Sequence, residues 1–271
     1  MWIDCKTIAQ SIEERTKERI EKLGFTPKLV SVVCTDDPST LSYLKSQRKK
    51  AEKLGIAFEI LNVSPEEIVS TLKKLGSDES VNGVFVARPF PPSFDEKEIL
   101  SSVPVEKDVE GVNPANLGLL LYDEELFPPC TAEATVRILE REVSLSGKRV
   151  TVVGRSVTVG KPLALMLLKK GRDATVTVCH SRTVNLEEIT KNSDIVVVAV
   201  GRANFLKKNM VKEGAIVIDV GINYVDGKLQ GDVDPSVEEI ARVTPVPGGV
   251  GQVTTVLLFE HVVRAAERQM K

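Results

Sequence analysis

The residues with the clearest chemistry lie in Lys148–Gly160 (KRVTVVGRSVTVG) and the stretch behind it. Val150, Val152 and Val153 form a short β-branched, apolar run that reads as a buried strand. Gly154 ends it, and from Pro162 the leucines recur at helical spacing, with proline in the first turn where a missing N–H costs nothing. A strand, a glycine turn and a helix N-terminus together offer outward-pointing N–H groups to an anion. The Gly154 to Gly160 spacing is wider than the G-x-G-x-x-G of a dinucleotide site, and an ordinary βα turn would use the same glycines. The next strand, Ala174–Cys179, runs out into His180-Ser181-Arg182-Thr183. A site for NAD places an acid at that end to hold the ribose 2′-hydroxyl. The one nearby acid, Asp173, stands at the opposite end. Ser181, Arg182 and Arg155 supply hydroxyl and guanidinium donors instead, which suit a 2′-phosphate. Without the glycine turn the arginines would read as solvated surface. With it, NADP is favoured over NAD.

The elements around this site form two sets. In the second half, strands Ile195–Val200 and Ala215–Val220 end at Gly201 and Gly221, and the rigid loop Thr244–Gly251 (TPVPGGVG) precedes a closing helix, Thr254–Met270. In the first half, a helix at Ile8–Leu23 is followed by strand Leu29–Cys34 and a capping turn at Asp36–Ser39. Helix Thr40–Leu54 ends at Gly55, then come strand Ala57–Val63, helix Pro65–Leu75, strand Val81–Ala87 and the loop Arg88–Pro92. That β-α-β-α-β order implies a second parallel sheet, with no phosphate turn of its own. Pro104–Gly118 reads as a polar loop, and Thr131–Glu142 as a helix linking the halves. The class is α/β.

A chain of 271 residues with 42% hydrophobic content can bury a full core and is long enough for two domains. A net charge of −2 gives no general pull toward nucleic acid or membrane. No apolar run approaches the roughly 20 residues of a membrane span, and the acidic opening MWIDCKTIAQSIEER does not read as a signal peptide. Cys5, Cys34, Cys130 and Cys179 are scattered, and with His180 and His261 they make no metal-binding spacing. Free thiols and a cytoplasmic location are expected.

Several segments resemble, in order and across nearly the whole chain, the methylenetetrahydrofolate dehydrogenase/cyclohydrolase family of one-carbon metabolism. They are Ser42-Tyr43, KDVEG (Lys107–Gly111), PCT (Pro129–Thr131), GRSVTVGKP (Gly154–Pro162), CHSRT (Cys179–Thr183), AVG (Ala199–Gly201), IDVGIN (Ile218–Asn223), GDVD (Gly231–Asp234) and TPVPGGVG. The resemblance implies two α/β domains around a cleft. A folate/catalytic domain would span 1–122 plus the C-terminal helix 254–271, and a Rossmann-like NADP-binding domain 123–253. It further implies a homodimer acting on tetrahydrofolate derivatives. Gly154, Arg155, Ser156, Ser181, Gly201 and Ile222 would line the NADP site. Tyr43 and Glu110 would meet the folate, Glu110 standing where the family has a pterin-contacting aspartate. Pro247, Gly248 and Gly249 would shape the substrate site.

The chain departs from the family pattern at one polar pair. Where the family has Tyr-x-x-x-Lys, this chain has Tyr43-Leu-Lys-Ser-Gln47, and where it has V-Q-L-P-L-P this chain has Val86-Ala-Arg-Pro-Phe-Pro91. PCTPxG is also altered, to Pro129-Cys-Thr-Ala-Glu-Ala134. The family lysine is thought to handle protons in the cyclohydrolase step. Hydride transfer from methylenetetrahydrofolate rests chiefly on positioning, whereas hydrolysis of the methenyl product gains roughly 10²–10⁴-fold from a positioned acid–base group. Gln47 cannot titrate near neutral pH. Tyr43, Gln47 and Glu110 are therefore the candidate catalytic set, and the expectation is an NADP-dependent dehydrogenase whose cyclohydrolase activity is weak or absent. Two alternatives are a fully bifunctional enzyme in which Lys50 or water substitutes, and a non-catalytic nucleotide-binding scaffold. Asp219 and Asp108 read as loop-fixing groups, with substrate contact weighed equally for Asp108, and His261 reads as a surface or packing residue.

Overall fold

The computed structural model describes residues 2–90 and 94–270, so Pro91 and Pro92 of the predicted loop lie outside the described residues. The chain folds as two compact units. One comprises residues 11–119, 125–130 and 255–271, and the other residues 1–10, 120–124 and 131–254.

The first unit is built on three parallel strands, β1 (Lys28–Val33), β2 (Ala57–Asn62) and β3 (Gly83–Val86), in the order β2-β1-β3. Leu29 stands opposite Phe58 on one side and Gly83 on the other, which fixes the register. Before the sheet comes α1 (Cys5–Leu23); the crossovers are α2 (Pro38–Leu54) and α3 (Ile68–Ser77). The start of α2 follows its sequence signals, with Pro38 in the first turn and Asp37 accepting from Thr40 N at 2.8 Å. Its end is capped by Gly55 at φ 81°. Leu44, Ala51, Leu54, Val33 and Phe85 pack with Leu258, Phe259, Val262 and Ala266 from the closing helix α9 (Val250–Gln269), forming one apolar core. Two short helices, α4 (Glu96–Ser101) and α5 (Pro114–Leu119), leave no periodic pattern in the sequence because each has barely one and a half turns. The predicted polar loop at 104–118 thus contains α5 and a 3₁₀ turn at Val105–Lys107.

The second unit carries a five-stranded parallel sheet of β4 (Arg149–Val153), β5 (Thr175–Cys179), β6 (Ile195–Val198), β7 (Ile216–Asp219) and β10 (Arg242–Val243). The order is β10-β7-β6-β4-β5. The chain runs outward in opposite directions from β4, so the carboxyl end of β4 is a topological switch point, where ligands of open α/β sheets gather. Helices α6 (Cys130–Glu142), α7 (Gly160–Leu168) and α8 (Leu186–Lys191) accompany it, with an antiparallel hairpin of β8 (Asn223–Val225) and β9 (Lys228–Gln230). The first ten residues join this unit instead of the 1–122 block expected from the sequence. The reason is local: Ile3 N donates to Val243 O at 2.9 Å and Trp2 bridges Val243, extending the edge at β10.

Candidate active site

Four side chains of the first unit converge. Tyr43 and Gln47 lie one turn apart on α2, Arg88 follows the end of β3, and Glu110 sits just before α5. Arg88 Nη1 donates to Glu110 Oε1 at 2.9 Å and Arg88 Nε to Glu96 Oε1 at 3.0 Å, while the guanidinium lies 5.7 Å from the Phe90 ring centroid. Tyr43 packs its ring against Phe85 at 6.3 Å. Although the residue is 45% exposed, its hydroxyl end is desolvated among Gln47, Glu110 and Cys130. Burial pushes the phenol up to about 12, partly offset by the Gln47 carboxamide, so it stays protonated. Burial also raises the Glu110 carboxyl, against the pull of Arg88; the nearby Asp108 charge adds to the rise. The Arg88 guanidinium loses solvation as well, but Glu110 and Glu96 more than compensate and hold its proton.

Gln47 is 1% exposed. Its Nε2 and Oε1, together with Arg88 Nη2 and Glu110 Oε2, are buried atoms with no hydrogen-bond partner among the described residues. The amide lies near the phenol without the alignment of a regular hydrogen bond. Leaving such atoms unpaired costs about 1–3 kcal/mol each, so a cluster of them marks a place where something other than protein supplies partners. The sequence pattern does not single out Arg88 as a site residue. Its one signal is an arginine close behind the buried run Gly83–Val86, where another apolar residue would have continued the strand end.

Neighbouring candidates take structural roles. The fully buried Asp108 accepts from the backbone N–H groups of Gly111, Val112 and Asn113 and from Asn116 Nδ2, at 2.8–3.2 Å, and so fixes the loop that carries Glu110. Lys107 ties down the same loop by donating to Leu75 O and Asp78 O at 2.8 and 2.7 Å. The ammonium of Lys50, the residue considered as a substitute for the missing lysine, is paired with Glu13 of α1. His261 is buried, with Nδ1 2.8 Å from Val109 O and its ring edge-on to Phe127 at 5.6 Å, so of the two roles considered for it, surface and packing, it takes the second.

In the second unit, β4 delivers Gly154 at φ 131°, and a Cβ there would lie 2.4 Å from Ala199 O. A Cβ on Gly160 would stand 2.1 Å from Gly154 O, so both glycines are sterically required for this tight turn. Ser156 Oγ accepts from Val159 N and Gly160 N, while Arg155, Ser156 and Val157 are exposed and their own N–H groups have no partner among the described residues. Gly154 N donates to Cys179 O, which brings the turn beside the end of β5 and the exposed Ser181 and Arg182. Gly201 and Ile222 are also exposed, Ile222 by 62%. Free N–H donors, a sterically bare turn, hydroxyl and guanidinium groups and an apolar platform fit a phosphorylated dinucleotide.

Two buried aspartates hold that set in place, and the sequence pattern gives Asp232 no role. Asp232 accepts from Val200 N, Gly201 N, Arg202 N and Asn223 Nδ2 at 2.7–3.0 Å. Asp219 accepts from Gly221 N, Asp232 N and Val233 N, each at 2.9 Å, the loop-fixing role considered for it. Burial raises its carboxyl to about 6, against the pull of these N–H donors, with the Asp232 charge assisting the rise. Pro247, Gly248 and Gly249 lie in this unit, immediately before α9; Pro247 is exposed and Gly249 buried.

Comparison with known proteins covers both units. Residues 3–110 match the tetrahydrofolate dehydrogenase/cyclohydrolase catalytic domain, and residues 129–270 match the NAD(P)-binding domain of the same family. The chain is 96% identical over its full length, and the relative's, to the bifunctional protein FolD of Thermotoga petrophila, and 94% identical, again over both full lengths, to that of Thermotoga maritima. Among solved structures, the Campylobacter jejuni bifunctional FolD enzyme superposes with a TM-score of 0.95 at 37% identity, covering 99% of each chain. The Trypanosoma brucei enzyme, solved with NADP cofactor and an inhibitor, gives 0.92 at 33% identity, over 100% of this chain and 98% of that one.

Proposed function

This chain belongs to the tetrahydrofolate dehydrogenase/cyclohydrolase family, and from that premise we propose that it is a bifunctional, NADP-dependent enzyme. It oxidises 5,10-methylenetetrahydrofolate to the methenyl form and hydrolyses that product to 10-formyltetrahydrofolate. The observation that carries the first reaction is the bare Gly154 turn with its unpartnered N–H groups beside Ser181, Arg182 and Arg155, where NADP and its 2′-phosphate would bind. Bound NADP would accept the hydride from the bridging carbon. The chain's own part is to orient: Tyr43 and Glu110 would hold the folate, and Gly201 and Ile222 would bear on the cofactor. No side-chain base is obligatory, since the folate nitrogen lone pair stabilises the cation that forms.

Hydrolysis uses the same residues differently. Water adds to the methenyl carbon, one carbon–nitrogen bond breaks and one proton is released overall. The orphaned Gln47 amide has both an acceptor and a donor with which to hold that water, and the protonated Tyr43 phenol is a further donor. Gln47 cannot take up the released proton, which leaves to solvent, so hydrolysis is the slower of the two activities. A second reading, a dehydrogenase without cyclohydrolase activity, draws its support from the same residue, since Lys50 is engaged by Glu13. The test has two parts. NADPH must form when methylenetetrahydrofolate is added, and authentic methenyltetrahydrofolate must decay faster than in buffer. Absence of NADPH refutes the enzyme assignment, and decay at the buffer rate selects the second reading. A cytoplasmic homodimer completes the proposal, and its size is checked by sedimentation.

A further inference from the structure

We propose that His261, buried in α9, is a positioning residue that sets Glu110 toward the substrate by holding the carbonyl of the residue before it, Val109. The inference rests on the folate reading above and goes beyond it. His261 Nδ1 lies 2.8 Å from Val109 O, and Cys130 Sγ lies 3.2 Å from the same oxygen, with thiol and ring 3.6 Å apart. A carbonyl only accepts, so the imidazole presents Nδ1–H to it. On the other side of the same residue, Cys130 N donates to Glu110 O at 3.2 Å. The backbone that carries the carboxylate is therefore pinned before and after its Cα, by groups from α9 and from the start of α6. Asp108 gathers the N–H groups of Gly111, Val112 and Asn113 just beyond it, and Arg88 Nη1 holds the carboxylate tip at 2.9 Å.

Of the two donors on Val109 O the imidazole is the stronger, since a thiol is a weak one and stands farther off. The ring is itself fixed, buried and edge-on to Phe127 at 5.6 Å. Helix α9 comes this close because Gly83 has no side chain: a Cβ there would stand 2.6 Å from Val109 Cγ1 and 3.1 Å from Cγ2 of Val262, the residue after His261. Gly111, at φ 75°, lets the loop pass as closely on its far side, where a Cβ would lie 2.4 Å from Phe127 O. An apolar residue in place of His261 fills the space but leaves the buried carbonyl with the thiol alone. The peptide between Val109 and Glu110 then shifts to regain a partner, and the carboxylate moves with it. Misplacement of a substrate-orienting group by about 1 Å costs up to about 100-fold.

The experiment compares wild-type protein with His261→Leu, which removes the donor and keeps the bulk, and His261→Asn, which returns an N–H near the place of Nδ1. In His261→Leu, KM for methylenetetrahydrofolate and Kd for tetrahydrofolate are expected to rise about 10-fold, the loss of one buried hydrogen bond, while NADP affinity stays within about 2-fold. His261→Asn recovers both to within about 3-fold of wild type. A simple loss of folded protein would lower apparent kcat and leave KM and Kd where they are. Action through Glu110 is read in a Glu110→Gln background, where adding His261→Leu changes Kd by less than about 2-fold. Unchanged KM and Kd in His261→Leu, or the same rise in Kd with and without the carboxylate, overturns the proposal. If His261→Leu does not fold, NMR of wild-type protein labelled with ¹⁵N-histidine decides, because the chain has only two histidines. A proton on Nδ1 of His261 whose signal moves when tetrahydrofolate binds supports the proposal; a proton on Nε2 alone, or no response to tetrahydrofolate, overturns it. Failure of the enzyme assignment is separate, since it appears as wild-type protein that forms no NADPH.

Discussion

Replacing Asp232 by Asn tests how the cofactor loops are held. The carboxylate is completely buried, with Oδ2 accepting from Val200 N at 2.7 Å and Gly201 N at 3.0 Å, and Oδ1 from Arg202 N at 2.8 Å and Asn223 Nδ2 at 2.9 Å. An amide has one oxygen. Whichever way it is turned, two of the four donors face an NH₂ group and lose their acceptor. At about 1–3 kcal/mol for each buried donor left unsatisfied, and with the amide free to choose the cheaper orientation, the loss comes to roughly 2–4 kcal/mol. That is a large part of a typical stability of about 5–15 kcal/mol and corresponds to a fall in Tm of about 5–15 °C for a domain of this size. Thermal unfolding and NADP titration are the assays. Asp232→Asn should lower Tm in that range and weaken NADP, because Gly201 loses its anchor, while tetrahydrofolate binding to the other unit stays near wild type. A Tm within about 2 °C of wild type, with NADP affinity unchanged, refutes the idea that this carboxylate carries the loop.

Other consequences follow from single residues. Gln47→Leu keeps a buried side chain but removes the water-holding amide; methenyl hydrolysis should fall about 10-fold or more, while kcat for NADPH formation changes less than about 3-fold, as separate rate measurements would establish. Gly154→Ala puts a methyl group into Ala199 O at a φ of 131°, so NADP binding should be abolished or the protein strongly destabilised, as calorimetric titration would show. The Asp219 carboxyl, raised from 3.8 to about 6, binds its proton more tightly folded than unfolded. Its contribution to stability is therefore fully present below about pH 4 and is lost as pH rises through about 6, a span of at most about 3 kcal/mol. Denaturant midpoints of Asp219→Asn should vary less with pH across that window than those of wild type, even if the variant is less stable throughout.

The sequence disclosed most of the framework because its signals were local. The β-branched runs at Val150–Val153 and Leu29–Val33, the Asp37 cap and the Gly55 stop each act within a few residues, and the two parallel sheets follow from their alternation with helices. The cofactor turn was legible for the same reason, Gly154 being needed where β4 gives way to α7. What escaped was decided by partners far away in the chain. Lys50 lies on the correct side of α2 for the role considered, but Glu13, 37 residues earlier, captures its ammonium. Arg88 gains meaning only when Glu110, 22 residues later, closes on it. Asp232 looks like one acid in a turn until folding sets the Gly201 loop against it, about 30 residues away in sequence. The short helices α4, α5 and α8, and the two-residue strand β10, carry too few residues for any period to emerge.

The most direct test of the account is one progress curve on purified protein with methylenetetrahydrofolate and NADP, following NADPH and the methenyl intermediate together. If the chain catalyses both steps, methenyltetrahydrofolate rises less than NADPH from early in the reaction. The shortfall should exceed the buffer-catalysed loss and be recovered as 10-formyltetrahydrofolate. A one-for-one rise of the two, after correction for the buffer rate, would contradict bifunctionality and leave a dehydrogenase alone.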